Sequence, residues 1–144
     1  MFNELQVTAL GIVCLISEEQ KKPQIARAVK SSYLQTLVTL GIKDEYIKTW
    51  EQLIDLRFQE YQDHYKILLQ ESKKMSEFKK KDEDLRVTWS RLETLVIDGV
   101  SHIRRGEFKE GDKLVKLVRF WILKLQVEIA AILKELEKNS PKKN

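Results

Sequence analysis

The 144 residues, 42% hydrophobic and 33% charged, suit one folded domain and exclude wholesale disorder. Five glycines and two prolines are too few for the many turns of an all-β fold, and the lone Cys14 excludes an intrachain disulfide. A net charge of +4 permits weak polyanion binding without demanding it.

The first element is expected from about Asn3, a good N-cap, to Gln20. Its apolar run "LQVTALGIVCLIS" is well short of the roughly 20 residues that span a bilayer. No basic stretch precedes it, and Glu4 lies upstream instead, which argues against a signal peptide. The run reads as a buried helix of a soluble, cytoplasmic protein, with Cys14 as a small buried hydrophobe. Pro23 suits the start of a second helix, carried by Ile25, Val29, Tyr33, Leu37 and Leu40 and ended by Gly41.

A third helix is expected from Lys43 or Asp44 to about Ser72. Ile47, Trp50, Ile54, Phe58, Tyr61, Tyr65 and Leu68 recur in it at intervals of three or four. The charged stretch 72–84 reads either as a linker or as a frayed extension of that helix. A fourth helix is expected from about Asp82 to Arg105, with the stripe Leu85, Trp89, Leu92, Val96, Gly99, Val100 and Ile103 and a stop at Gly106. Gly99 on that stripe suggests close approach of a neighbouring helix. A fifth helix is expected from Gly111 or Asp112 to Glu137. The whole reads as an all-α, single-domain bundle over residues 1–138, with a disordered tail at 139–144.

Helices three and four show one apolar stripe and a polar back, whereas the first and fifth are apolar on two sides. In the fifth, Leu114, Val118, Trp121, Leu125, Ile132 and Leu136 make one face; Phe120, Leu123, Val127, Ala130 and Ala131 make another. In the first, Leu5, Ala9, Ile12 and Ile16 oppose Val7, Leu10 and Cys14. A helix apolar all round is buried all round. Either the fifth helix occupies the middle of the bundle, or the second faces meet another copy of the chain. The second solution is favoured. It makes Val7, Leu10, Cys14, Phe120, Leu123, Val127 and Ala131 the expected interface of a homodimer, or of a contact with another helical protein.

Three other constellations are weighed against that reading. Arg57 and His64, in "LRFQEYQDHY", resemble the long end of the arginine–histidine spacing of the HEPN ribonucleases. The resemblance covers these two positions. It implies a helical, commonly dimeric nuclease in which His64 moves a proton and Arg57 stabilises phosphate charge. Phe58 departs from the polar residue that usually follows the arginine. A local role is favoured instead: Glu60 lies four residues before His64, and Arg57 reaches Glu60 or lies along Tyr61.

A single Glu60-x-x-x-His64 and an isolated His102 lack the repeated motif of helical di-iron proteins, so no metal and no cofactor is expected. "GEFKEGDK" lacks the residues of a phosphate loop and reads as a turn. The region 104–124 holds seven positive and three negative side chains. Its Arg104, Arg105, Lys109, Lys113 and Lys116 are the candidates for a weak RNA or polyanion contact. The primary expectation is a non-enzymatic helical interaction or scaffold protein; nucleic-acid binding is the alternative.

Overall fold

The side-chain oxygen of Asn3 accepts from the backbone N–H groups of Leu5 and Gln6 at 3.1 and 3.3 Å, and α1 (Glu4–Glu19) starts there. The computed structural model describes residues 3–78 and 82–140. Four more helices follow: α2 (Pro23–Thr39), α3 (Asp44–Ser72), α4 (Glu83–Arg104) and α5 (Lys113–Asn139). Among the described residues the architecture is an all-α bundle, and no helix is long and apolar enough to cross a membrane.

Most ends form as their sequences predict. Gly41, at φ 91°, follows α2 in the left-handed conformation that glycine adopts without strain. Asp112 caps α5 by accepting from the Leu114 N–H at 2.8 Å. The end of α4 comes one residue before the expected stop at Gly106: Arg105, at φ 54°, takes a left-handed cap position. After Ser72 the chain leaves the helix, and the described part of the charged stretch, 73–78, forms turns. The rest of that expected linker, 79–81, lies outside the described residues. At the other end α5 runs to Asn139, past the expected stop at Glu137, and 141–144 lie outside the described residues.

The central helix is α1. It packs against each of the other four, whereas α5 touches α4 and α1, and α2 touches α1 and α3. Every residue from Leu10 to Ser17 is buried. Over this run the two apolar sides of α1 are both covered within the chain, while Leu5 near its start is exposed. Ile12, Leu15 and Ile16 join the main core with Tyr61, Leu95, Val100, Val118 and Ile122. Val7 and Leu10 join a second cluster with Ile54, against which Val29, Tyr33 and Leu34 of α2 pack. The alternative that put α5 in the middle does not hold.

Small residues allow α1 to sit so deep. Gly11 faces the Tyr61 ring and Leu95, and Gly99 on α4 faces Thr8 on α1. Gly99 thus serves the close helix approach its position suggests.

The back of α4, expected to be polar and exposed, is in part buried: Arg86, Ser90, Arg91 and Thr94 all lie inside. α4 contacts α1, α3 and α5, so three helices enclose it. Its buried polar groups are partnered. Arg86 donates to the Leu69 carbonyl at 2.6 Å and the Ser72 hydroxyl at 3.0 Å, and also pairs with Glu83. Arg91 donates to Glu19 on α1 and to Gln126 on α5. Leu85, expected in the stripe, is exposed.

Candidate interaction surface on α5

The buried face of α5 is Val115, Val118, Ile122, Gln126 and Leu133. It is rotated from the face read in the sequence, which included Ile132 and Leu136; both are exposed. Gln126 explains the rotation. Its Oε1 accepts from Arg91 Nε at 3.1 Å, which draws a polar residue into the core.

On the far side of the helix, Phe120 is 68% exposed, Val127 62% and Leu123 43%, and Ala131 is exposed beside them. Leu117, three residues before Phe120, is 66% exposed and extends the same side. Its spacing was a signal available in the sequence. Lys124 lies on this same side between Phe120 and Val127, and Lys116 and Lys134 stand toward the two ends of the seam. A groove of about 320 Å³ runs alongside, between α4 and α5, with Thr88, Ala130 and Lys134 in its wall. Gln126 also lines it, and its Nε2 is buried without a hydrogen-bond partner among the described residues. Exposed large apolar side chains in a row are seldom left bare on a monomer, because each costs about 1.5–3 kcal/mol relative to burial.

The α1 half of the expected interface is not on this surface. Val7, Leu10 and Cys14 are buried inside the chain, against α2 and α3. The reason is the central place of α1: its second side is covered by α2, so none remains for another copy.

Arg57 and His64 share α3 but face different neighbours. Arg57 donates to both carboxylate oxygens of Glu4 on α1, at 2.9 and 3.2 Å, and lies 3.6 Å from Glu60. His64 Nδ1 is 2.9 Å from Asp98 on α4. Glu60, expected beside His64, instead meets His102 Nε2 at 2.7 Å. Glu60 and His64 on α3 thus cross-pair with His102 and Asp98 on α4, and both histidines of the chain tie these two helices together. Among the described residues no group of three or more histidine, cysteine or acidic side chains is placed to hold a metal ion.

The hydrogen bond that His64 makes to the accepting Asp98 carboxylate raises the His64 pKa above its ordinary value; partial burial opposes this, and the charges of Asp98 and Glu71 add to it. A raised folded-state pKa stabilises the fold fully below the unfolded value, and the contribution is lost as pH rises through the folded value. Replacing His64 with Gln is therefore expected to cost more stability at pH 5.5 than at pH 8.5. Urea midpoints of both proteins at the two pH values test this. A difference that does not change with pH removes the charged His64–Asp98 pair from the account.

In the basic region, Arg104 pairs with Asp112, and Arg119 pairs with Glu93 at 3.0 Å and Glu110 at 3.2 Å. Arg105, Lys109, Lys113 and Lys116 stand exposed. No protein-family model matches the chain, and neither the curated proteins nor the solved structures contain a match.

Proposed function

We propose that the chain is a non-enzymatic helical interaction protein that self-associates through the outer face of α5, as a subunit or adaptor of a larger assembly. The row Leu117, Phe120, Leu123 and Val127, exposed along the outer side of α5, carries this reading. The sequence of the seam favours a second copy as its occupant. In an antiparallel pair of α5 helices centred on Leu125, the large Phe120 faces the small Ala130, and Leu123 faces Val127. The large Phe120 then fills the space left by Ala130, and Leu123 and Val127 cover each other. A cytoplasmic setting suits the single buried thiol.

Light scattering on a size-exclusion column tests the reading. The wild type is expected at twice 17.0 kDa. Phe120→Glu with Leu123→Glu is expected to weaken association at least about 100-fold, because two charges enter a desolvated seam. Unchanged helical circular dichroism would show that the variant still folds. A monomeric wild type, or a variant that keeps its oligomer, removes the interface.

The same pairing sets Lys116 opposite Lys134, so added salt is expected to tighten the dimer by screening like charges. Nucleic-acid binding through Arg105, Lys109, Lys113 and Lys116 would weaken with salt, which separates the two readings. The ion pairs that occupy Arg104 and Arg119 weigh against the second. A nuclease at Arg57 and His64 has less support still, because each side chain turns to its own carboxylate on a different helix.

A further inference from the structure

Most of α2 is exposed or half-buried, and Leu37 is its only described residue that is fully buried. The helix leans on α1 and α3 through Val29, Tyr33 and Leu34. A crevice of about 510 Å³ opens between α1, α2 and α3, lined on α2 by residues of its first two turns. That volume lies within the range of small-molecule sites, which are mostly apolar with a few placed polar groups.

Apolar contact comes from Phe58 on α3, Pro23 and Ala26 on α2, and Cys14 on α1. Gln62 Nε2 donates to the Cys14 sulfur at 3.6 Å. Burial, with Glu18 nearby, pushes this thiol up to about 12, so it stays neutral and is no nucleophile. The crevice is suited to reversible binding.

The polar groups at the crevice differ in how well they are satisfied. Lys30 is held by Asp55 at 2.8 Å and lies 3.6 Å from Glu51. Lys21 and Arg27 form no ion pair among the described residues. Lys21 occupies a left-handed backbone position, φ 56°, in the turn between α1 and α2. Glu18 Oε1 lies 3.9 Å from Lys66, but Glu18 Oε2 is buried without a hydrogen-bond partner among the described residues. With Glu18 and Asp55 set against Lys21, Arg27 and Lys30, the lining carries one excess positive charge.

We propose that this crevice binds a small amphiphilic organic anion. Its acid group would meet Arg27 and Lys21, and its apolar body would lie against Phe58, Ala26 and Cys14. The site lies on a different face from the α5 seam and does not depend on self-association.

The probe is 8-anilinonaphthalene-1-sulfonate, titrated against the full chain with fluorescence as the readout. One saturable site per chain is expected, displaced by decanoate and not by decyltrimethylammonium. Ala26→Trp, which fills the crevice, is expected to weaken binding at least about tenfold, and Arg27→Gln by about three- to tenfold. Phe120→Glu with Leu123→Glu is expected to leave dye binding unchanged. Dye binding that survives Ala26→Trp, or displacement by the cation as readily as by decanoate, overturns the proposal. Loss of the dye only in the α5 variant also overturns it, and leaves the interaction reading standing. A measurement without substitutions covers the case in which Ala26→Trp fails to fold. Amide chemical shifts perturbed by decanoate should centre on Cys14, Ala26, Arg27 and Phe58, and shifts centred elsewhere reject the site.

Discussion

Gly11→Ala is expected to destabilise the fold by about 2 kcal/mol, although alanine is the better helix former. The new Cβ would lie 2.7 and 2.8 Å from two carbons of the Tyr61 ring and 3.0 Å from a Leu95 methyl. Neither neighbour has room to give: both side chains are fully buried, and the Tyr61 hydroxyl lies 3.4 Å from that of Thr8. Overpacking of a tight core costs about 1–3 kcal/mol, and the clash at Gly11 belongs at the upper end. The gain in helix propensity offsets about 1 kcal/mol of it.

Gly99→Ala makes a useful comparison. Its nearest contact is Thr8 Oγ1 at 3.1 Å, so a smaller loss is expected at the same helix junction. Urea unfolding of the three proteins gives the order wild type, Gly99→Ala, Gly11→Ala. A Gly11→Ala protein as stable as the wild type would mean that α1 does not pass this close to α3 and α4.

The helices and most of their ends were legible in the sequence because they depend on neighbours along the chain. Asn3, Gly41 and Asp112 act within one turn of where they stand. The two-sided character of α1 and α5 was legible too, since periodicity reports faces. Periodicity does not report which helix covers a face, so the bundle's centre was missed.

A second signal separates the two helices. Between Glu4 and Glu18 α1 carries no charge, and it has Gly11 at its middle, whereas α5 is interleaved with Lys116, Arg119, Lys124 and Glu128. Only the first can be enclosed on all sides without stranding a charge. The buried face of α4 was hidden for the opposite reason. Arg86 and Arg91 read as surface residues, and only the partners brought by α1, α3 and α5 make their burial affordable. The cross-pairing of Glu60 and His64 with His102 and Asp98 likewise joins residues 34 to 42 positions apart, beyond the reach of helical spacing.

Glu19→Ala is expected to cost about 3 kcal/mol, a large loss for a side chain that is not part of the apolar core. Both Glu19 oxygens accept from Arg91 Nη1 at 2.6 Å, and Oε1 also accepts from the Tyr65 hydroxyl at 2.8 Å. Arg91 continues the chain of bonds to Gln126. One carboxylate on α1 therefore links α3, α4 and α5 to the central helix.

The Arg91 side chain is 8% exposed, so without Glu19 it keeps a buried positive charge with, among the described residues, only the Gln126 oxygen as a close partner. Breaking such a pair from one side costs about 3–5 kcal/mol, because the remaining charge is uncompensated. The Glu19 side chain is 21% exposed, and water entering from its side places the loss at the low end.

The same reasoning predicts a rescue. Glu19→Leu with Arg91→Met removes both charges and is expected to recover most of the stability lost by Glu19→Leu alone. Denaturant unfolding of the wild type, both single variants and the double variant gives the coupling between the two positions. A coupling near zero would mean that Arg91 finds water when Glu19 is gone, and that this end of α1 is open where the structure has it closed.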